Sequence, residues 1–429
     1  MNIMKFKVNP WQYLVLSFSF LIAFGTIMLL MPFVKHSQGV SLIDALFTST
    51  SAVCVTGLVT IPTSGFNLAG QLIILLLIQL GAIGIMTLTS AFLMALKGNL
   101  KLKHRWSFTR LQEDNDMRSA GYILKNIVKI TFIIEAIGTI LLTIGFKFEG
   151  LSWQSASYQG FFHSISAFCN AGFSTYDTSL INLNPLIKIT IALLIIMGGI
   201  GYFVILEMIS RRKDKNYRFT LHTKIVLFST ILLIVVGTIL IYVFEKGNIN
   251  LIDSFFQSVT ARTAGFNSVN LNHLQVASIF VIIILMFIGA SPGSTGGGIK
   301  TTNFFVIVFS IISVLKGKTE VVIFNRTISA RYILKAFATA IIYFMIISIG
   351  VVLLLQNSNL HFEDVIFESV SAMGTVGLSL GITPILSSYG KLIIVALMFI
   401  GRLGPSSFAM ATLLNEKKIK IKYPEGTIY

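Results

Sequence analysis

Long apolar segments and shorter polar stretches alternate regularly along the chain. A membrane-spanning helix needs about 20 consecutive apolar residues. Eight long apolar segments occur, and they lie at 13–34, 68–96, 121–146, 185–209, 223–244, 274 onward, 332–355 and 389–414. Within each successive pair, the two segments flank a short amphipathic run that is too polar to cross a bilayer. The pattern predicts an all-α polytopic membrane protein with eight transmembrane helices, arranged as four units of helix, half-helix and helix.

The four short runs share one sequence shape, which indicates an internal repeat. Each has an amphipathic start, a patch of small residues, and a glycine followed by an apolar residue. They read IDALFTSTSAVCVTGLV, YQGFFHSISAFCNAGFS, IDSFFQSVTARTAGFNS and EDVIFESVSAMGTVGLS, and their shared glycines are Gly57, Gly172, Gly265 and Gly377. Runs this short must enter and leave the membrane on the same side, so we predict four re-entrant loops.

A second set of glycines lies at a nearly constant distance along the sequence from the first set. Gly81, Gly289 and Gly401 each lie 24 residues past the re-entrant glycine of their unit, and Gly198 lies 26 past its own. A shared offset predicts a shared depth in the membrane. The predicted repeats are 1–98, 99–213 with a basic lead-in loop, 214–318, and 319–414, and a C-terminal tail follows at 415–429.

Composition and charge support a membrane protein and argue against a nucleic-acid-binding one. Only 12% of the residues are charged, although the net charge is +16. Of the 33 Lys and Arg residues, 25 fall in five clusters, at 5–7, 97–129, 211–224, 316–335 and 417–422. These clusters alternate with loops nearly free of basic residues, which is the positive-inside pattern and predicts cytoplasmic N- and C-termini.

The re-entrant loops predict a cation pathway. Non-helical backbone at membrane depth is tolerated only where protein buries it or water lies beside it. Four similar loops around one axis satisfy that condition together, and glycine permits the backbone torsions that turn carbonyl oxygens inward. Rings of carbonyls replace the hydration shell of an alkali cation. The alternative is that these glycines only allow close helix packing.

Acidic residues lie near the starts of three half-helices. Asp44, Asp253 and Asp364 occupy these positions, whereas the second unit has none there. We expect the three carboxylates to complement the positive helix N-termini and to add negative potential at the outer mouth.

At these loops the chain resembles the Trk/Ktr/HKT superfamily of potassium transporters, most of all the membrane subunit of a bacterial Ktr system. TARTAGFNS and SAMGTVGLS carry the likeness most clearly, and it extends to the tail KIKYPEGTIY. In that family the loop glycines underlie potassium selectivity, and a serine in the first loop tends to admit sodium. The resemblance therefore implies a K⁺-selective filter formed by Val55, Thr56, Gly57, Asn170, Ala171, Gly172, Thr263, Ala264, Gly265, Thr375, Val376 and Gly377.

The stretch GASPGSTGGGIKTTNF (289–304) interrupts a long apolar segment. It does not fit a phosphate-binding loop, because Ile299 separates the glycines from Lys300 and a membrane helix rather than a strand precedes it. The shared offset places Gly289 at a depth where the other units are expected to continue as helix. We predict that residues 290–303 form a mobile gating loop below the filter, and a static kink is the alternative. The gate residues are Gly289, Gly293, Gly296, Gly297, Gly298, Lys300, Thr301 and Arg402.

Several charged residues require partners inside the membrane. Arg402 follows Gly401 and is expected level with the gating loop, whose carbonyl oxygens can accept its hydrogen bonds. The resemblance implies the same contact, and a structural or snorkelling arginine is the alternative. Arg262, beside the third filter residue, is expected to turn into the wall. Glu135 and Glu368 are candidate partners for buried bases.

No segment of the chain reads as a soluble regulatory domain. The resemblance implies a homodimer in the bacterial cell membrane, with a cytoplasmic ring of RCK (KTN) nucleotide-binding subunits that responds to ATP or ADP. It also implies K⁺ as the transported ion, Na⁺ as an activator and no covalent cofactor. The basic loops suit either that ring or anionic membrane lipid.

Two other functional classes would require different features of the sequence. A symporter that couples K⁺ uptake to H⁺ or Na⁺ would need a relay of ionisable groups along the pathway. A membrane-embedded enzyme acting on lipid would need clustered His, Asp or Cys groups, and the six histidines are scattered. Cys54 and Cys169 are interpreted as small buried residues, without a disulfide or a metal.

Overall fold

The computed structural model describes residues 10–37, 39–98, 120–214, 216–356 and 360–404. The two termini predicted to be cytoplasmic, the basic loop at 99–119 and the tail at 415–429 lie outside these residues. So does the part of the last predicted helix beyond residue 404.

Fourteen α-helices, three short 3₁₀ helices and one short hairpin are found in the described part of the chain. The α-helices follow one order four times: a long helix, a half-helix, and a second long element, which is one helix in units 1 and 4 and two helices in units 2 and 3. The first unit contains α1 (Pro10–Leu29), α2 (Leu42–Val53) and α3 (Leu68–Gly98). The second contains α4 (Ala120–Phe148), α5 (Trp153–Phe168), α6 (Pro185–Ile200) and α7 (Tyr202–Lys213). The third contains α8 (Leu221–Phe244), α9 (Leu251–Thr260), α10 (Val276–Ile288) and α11 (Thr301–Leu315), and the fourth contains α12 (Ala330–Gln356), α13 (Phe362–Gly374) and α14 (Ser388–Leu403).

Three of the four short helices begin at polar N-caps. Ser41 accepts a hydrogen bond from the backbone N–H of Asp44, and Asn250 accepts one from that of Asp253. Ser152 caps α5 in the same way. These caps satisfy backbone donors that would otherwise lack partners, so the short helices start where the amphipathic runs begin.

Packing between the units is cyclic. The long helix that follows each half-helix packs on the short helix of the next unit: α3 on α5, α6 on α9, and α10 on α13. The fourth unit returns to the first through α14, which packs on α2. The short helices are therefore central, and their C-terminal halves are almost entirely buried.

Three helices in the described ranges are long and apolar enough to cross a membrane: 124–148, Leu221–Phe244 and Ala330–Gln356. α6 and α7 would form a fourth span if they are counted as one bent helix, and their axes differ by 99°. Their outer faces expose large apolar side chains such as Ile140, Ile239 and Phe344, as expected of helices that contact lipid.

The expectation that only the third unit interrupts its second long helix is wrong. In the second unit, α6 ends at Ile200 and Gly201 adopts a positive φ of 90° before α7 begins. In the fourth unit, α14 ends at Leu403 and Gly404 has a φ of 82°. The break at Gly201 makes room for the segment 289–300, because a β-carbon there would lie 2.7 Å from the carbonyl oxygen of Pro292.

A two-stranded hairpin was not predicted. β1 (Val322–Ile323) pairs antiparallel with β2 (Arg326–Thr327) across a turn at Phe324 and Asn325. Both turn residues have positive φ, as a tight hairpin turn requires. Phe324 packs edge-on against Phe228 of α8, which fixes the hairpin beside the third unit.

The second set of glycines packs helices backbone to backbone. β-Carbons built on Gly81, Gly198 and Gly401 would overlap the carbonyl oxygens of Val53, Phe168 and Met373, respectively. Each of these carbonyls lies four residues before the re-entrant glycine of its own unit, so the three contacts are equivalent. Close packing therefore explains Gly81 and Gly198, whereas Gly289 starts a different structure.

Replacement of Gly81 by alanine should destabilise the fold, because the new methyl group would overlap the Val53 carbonyl and displace α2. We expect a loss of about 1–3 kcal/mol, typical of overpacking. Gly84→Ala is the matched control. It lies one turn later on α3 with no atom within 4 Å of its β-carbon position, so the better helix propensity of alanine should leave stability equal or slightly higher. Thermal unfolding of the two purified variants in lipid nanodiscs measures the difference, and equal midpoints would contradict the packing role of Gly81.

Candidate functional site

Four short loops follow the half-helices, and each combines two left-handed residues. We name them loop 1 (55–57), loop 2 (170–172), loop 3 (263–265) and loop 4 (375–377). The loop glycines have φ values of 97°, 70°, 81° and 92° in chain order. The residues two positions earlier also have positive φ, and they are Val55, Asn170, Thr263 and Thr375. Three of these are β-branched and adopt this conformation only under constraint from their surroundings.

The loop glycines contact one another in a closed circuit. A β-carbon on Gly57 would overlap the carbonyl oxygen of Ala171 in loop 2, and one on Gly172 would overlap that of Ala264 in loop 3. The same relation links Gly265 to loop 4 and Gly377 back to loop 1. Glycine is therefore required at each position for two reasons, the positive φ and this close approach.

The carbonyl oxygens of the loops lack hydrogen-bond donors within the described part of the chain. None of the twelve accepts a hydrogen bond from any residue in the described ranges. The eight non-glycine loop residues are nevertheless completely buried. A buried carbonyl without a donor is costly and rare, so these oxygens require water or a cation.

The N–H groups of the same loops point back into the half-helices. Thr56 and Val376 donate to the carbonyl oxygens of Ser51 and Ser371, each at 2.8 Å. Ala171 and Ala264 donate to Ser166 and Thr260 at 2.7 and 2.9 Å. Because these N–H groups are paired with the half-helices, the loop carbonyl oxygens are the groups that remain without a partner among the described residues.

The segment 289–300, which contains most of the predicted gating loop 290–303, contacts loops 3 and 4 directly. β-Carbons on Gly296 and Gly297 would overlap the hydroxyl oxygens of Thr263 and Thr375, respectively. Gly289 and Gly298 pack backbone to backbone at the neck of the segment. Glycine is needed at these four positions because no side chain would fit.

The second unit holds the other side of this segment. The N–H groups of Ser291 and Thr295 donate to the carbonyls of Gly199 and Gly198 at 3.1 and 3.2 Å. The N–H of Tyr202 donates in return to the carbonyl of Gly293 at 3.1 Å. The carbonyls of Gly198 and Gly199 and the N–H of Tyr202 are available because the helix breaks at Gly201. The helix break of the second unit therefore hydrogen-bonds with the helix break of the third.

Two cations hold the segment from within. Lys300 folds back, and its Nζ donates to the Gly296 carbonyl at 2.7 Å. Arg402 donates from Nη1 to the carbonyl of Thr295 and from Nη2 to that of Gly81, the latter at 3.2 Å. Arg402 therefore makes the expected contact with a carbonyl of the predicted gating loop, that of Thr295. Through Gly81, the same side chain also contacts α3. Thr301 starts α11 and shares a hydrogen bond with Ser291 at 2.9 Å.

Two ion pairs at the half-helix starts were not predicted. Asp253 pairs with Lys188 of the second unit at 2.7 Å, and both side chains are about 90% buried. Asp44 pairs with Lys391 of the fourth unit at 2.8 Å. These carboxylates are therefore neutralised by neighbouring units, so the expectation that they add negative potential at the mouth is wrong for Asp44 and Asp253. Both lysines follow a capped start of a long helix, which was the available sequence signal.

Glu135 and Glu368 pair with no basic side chain among the residues that the structure describes. Glu135 accepts a hydrogen bond from Gln79 at 3.1 Å and lies 3.8 Å from the Cys169 thiol. Glu368 accepts one from the hydroxyl of Thr383. Arg262 is buried, and its Nε finds no acceptor among the described residues. Cys54 and Cys169 are buried, as predicted.

The chain is similar to characterised and solved cation transporters along its length. The profile of the TrkH family, described as a cation transport protein, matches residues 8–420. The Ktr system potassium uptake protein B of Bacillus subtilis (strain 168) is 37% identical over 100% of both chains. The protein of the same name from Vibrio alginolyticus is 37% identical over 99% of this chain and 95% of its own. The potassium/sodium uptake protein NtpJ of Enterococcus hirae is 35% identical over 100% of this chain and 99% of its own.

The fold matches a solved transporter. The crystal structure of the potassium transporter TrkH from Vibrio parahaemolyticus superposes with a TM-score of 0.77. The match covers 96% of this chain and 86% of that one at 18% sequence identity, so it establishes the fold.

Loss of the buried Lys188–Asp253 pair should destabilise the protein strongly. Lys188→Met leaves Asp253 as an uncompensated buried charge, with an expected cost of about 3–5 kcal/mol. Adding Asp253→Asn should restore much of that loss. Asp364→Asn is the control, because Asp364 lies at the equivalent start of α13 and has no ion pair among the described residues. Unfolding midpoints of the wild type and these three variants test this, and an equal effect of Lys188→Met and Asp364→Asn would refute the role of the pair.

Proposed function

Because the chain belongs to the TrkH family of cation transport proteins, we propose that it takes up potassium ions across the bacterial cell membrane through a K⁺-selective pore. It is an integral membrane protein with extensive apolar helices. The observation that carries the proposal is the closed circuit of loops 1 to 4, whose buried carbonyl oxygens have no hydrogen-bond donor in the described ranges. A dehydrated K⁺ supplies what those oxygens lack.

In the proposed arrangement, four repeats surround one central pore with pseudo-fourfold symmetry and eight helices span the membrane. The cyclic packing of α3, α6, α10 and α14 on the next half-helix supports it. The repeats correspond to residues 1–98, 99–213, 214–318 and 319–414, with both termini in the cytoplasm. The twelve residues of loops 1 to 4 form the filter, and their backbone oxygens rather than their unlike side chains bind the ion.

The segment 290–303 is proposed to gate the pore. Its glycines lie against Thr263 and Thr375, immediately beside the filter loops. Apart from the buried side chains of Ala290 and Ile299, it is held by hydrogen bonds that involve Lys300, Arg402 and the broken helix of the second unit. Hydrogen bonds of this number can be exchanged as a set, which suits a segment with two positions better than a static kink.

A cytoplasmic partner is proposed to operate the gate. Two similar proteins are named as components of a Ktr system, and such a name implies a second subunit. We propose a ring of RCK-type subunits that binds ATP or ADP, beneath a homodimer of this chain. We also propose stimulation by Na⁺, since a third similar protein is named as a potassium/sodium uptake protein. No cofactor is proposed on this chain.

The second candidate function is K⁺ symport with H⁺ or Na⁺. The observation that favours it is the presence of Glu135 and Glu368, two buried carboxyl groups without basic partners in the described ranges. Reversal potentials in proteoliposomes separate the two functions. A pore gives a potential that follows the K⁺ gradient alone, whereas a symporter shifts with the gradient of the second ion.

Serine substitutions at the loop glycines should reduce the preference for K⁺ over Na⁺. In Gly57→Ser and Gly377→Ser, the serine backbone would have to adopt a φ above 90°. The serine side chain would also displace the carbonyl of the next loop. We expect at least about a tenfold fall in the K⁺-to-Na⁺ uptake ratio, which corresponds to about 1.4 kcal/mol. Growth of an uptake-deficient bacterium at limiting K⁺, together with direct measurement of both ions, provides the readout.

Gly247→Ser is the matched control for these variants. Gly247 has a φ of +91° but no atom within 4 Å of its β-carbon position. It therefore reproduces the backbone strain without the close approach. A comparable loss of selectivity in this control would show that strain alone, and not the filter geometry, explains the serine variants.

Deletion of residues 293–298 should raise K⁺ flux and weaken its regulation, because the segment beside loops 3 and 4 would be removed. The deletion also removes the Thr295 carbonyl that accepts from Arg402. It should therefore be combined with Arg402→Met, and compared with Arg402→Met alone. Flux into proteoliposomes is the measurement, and flux equal to that of Arg402→Met would favour the static kink.

A further inference from the structure

Polar side chains of the half-helices lie behind the four loops at one equivalent position. This position is nine residues before the loop glycine in units 1, 2 and 4, where the residues are Thr48, His163 and Glu368. In unit 3 it is eight residues before Gly265 and is occupied by Gln257. The one-residue difference also applies to the residue that accepts from the loop N–H, which is Thr260 in unit 3 and a serine six residues before the glycine elsewhere.

Behind loop 4, Glu368 is tied to the chain that leaves the loop. Its side chain is fully buried, and it accepts a hydrogen bond from the hydroxyl of Thr383. That hydroxyl lies 3.0 Å from the hydroxyl of Ser379, two residues after Gly377. Ser379 in turn accepts from the N–H of Gly381 at 3.0 Å. The half-helix and the outgoing segment are therefore joined across the back of loop 4.

Behind loop 2, His163 makes the equivalent connection. Its Nδ1 lies 2.9 Å from the carbonyl oxygen of Gln159, which can only accept, so Nδ1 carries a proton. Its Nε2 lies 3.0 Å from the hydroxyl of Ser174, two residues after Gly172. The ring is fully buried among aromatic side chains, including Tyr176 and Phe266. Both its position and its hydrogen bonds are thus fixed.

Loops 1 and 3 lack this connection or have only a long one. Gln257 is 3.5 Å from the hydroxyl of Ser268, at the limit of a hydrogen bond. The hydroxyl of Thr48 has no partner in the described part of the chain. The residue two positions after Gly57 is Val59, which cannot hydrogen-bond through its side chain. The two well-connected loops, 2 and 4, are opposite members of the circuit.

We propose that Glu368 and His163 are positioning residues that set the preference for K⁺ over Na⁺, by fixing the outgoing segments of loops 4 and 2 from behind. The inference rests on the proposed potassium pathway. A filter that must fit K⁺ loses selectivity when its carbonyls can move inward around the smaller Na⁺. Opposite loops tied to rigid half-helices resist that movement across the full width of the circuit. The hydrogen bonds, and not the charge of Glu368, perform this role.

The test measures K⁺ and Na⁺ influx into proteoliposomes that contain the purified full chain. Glu368→Leu, Thr383→Val and His163→Leu should each lower the K⁺-to-Na⁺ ratio about tenfold, as expected for the loss of one buried hydrogen bond. Combining Glu368→Leu with Thr383→Val should lower it little further, because both remove the same connection. Glu368→Gln should keep most of the ratio, since its amide oxygen still accepts from Thr383.

Thr48→Val and Ser369→Ala are the controls. Thr48 is the equivalent residue behind loop 1, and Ser369 is the neighbour of Glu368; neither hydroxyl has a partner in the described ranges. Both variants should keep the wild-type ratio, and unfolding midpoints show whether a fall in ratio is separate from misfolding. The inference is overturned if Thr383→Val keeps the wild-type ratio, if Glu368→Gln loses as much as Glu368→Leu, or if the controls lose selectivity equally. A wild-type chain that carries no K⁺ would overturn the proposed function itself.

Discussion

Backbone carbonyl oxygens without hydrogen-bond donors are the constraint around which this protein is organised. Inside a membrane, such groups must be satisfied by the protein, by water or by an ion. Loops 1 to 4 satisfy most of their N–H groups within the half-helices, and their buried oxygens accept no hydrogen bond from the described residues. The arrangement is stable only when something else occupies the space that those oxygens face. The proposed transport of K⁺ is thus the consequence of a local imbalance between donors and acceptors.

Close backbone approach makes this arrangement possible. The loop glycines contact the next loop in a closed circuit, and Gly81, Gly198 and Gly401 let the long helices touch the half-helix carbonyls. A side chain at a loop glycine would push neighbouring loops apart, and one at Gly81, Gly198 or Gly401 would push a long helix away from the half-helix of its own unit. Ion pairs between Lys188 and Asp253, and between Lys391 and Asp44, hold neighbouring units together at the starts of two half-helices. They link units 2 to 3 and 4 to 1, so the four junctions are not alike.

The units also differ where regulation and selectivity are proposed. Beside loops 3 and 4, the segment 289–300 replaces a continuous helix, and the break at Gly201 supplies the groups that pair with it. Behind loops 2 and 4, His163 and Glu368 tie the half-helices to the outgoing chain. A single chain can vary each of its four repeats independently, which four identical subunits cannot do.

The repeat, the half-helices and the loop glycines can be predicted from the amino-acid pattern alone, because they depend on local features of the chain. Alternation of long apolar and short polar runs fixes where helices lie, and a glycine at a fixed offset fixes where the backbone must turn. The same pattern also placed Arg402 level with the segment at 289–300, since the shared offset of Gly289 and Gly401 measures depth along parallel elements. The positive φ of Val55, Thr263 and Thr375 could not be predicted from the sequence, because β-branched residues adopt that conformation only when tertiary contacts enforce it. Only the tertiary structure decided which charges pair, since Lys188 and Asp253 are 65 residues apart and Lys391 and Asp44 are 347 apart. It also decided that the helix breaks at Gly201, because the glycine only permits the break and the space that the segment 289–300 of another unit occupies requires it.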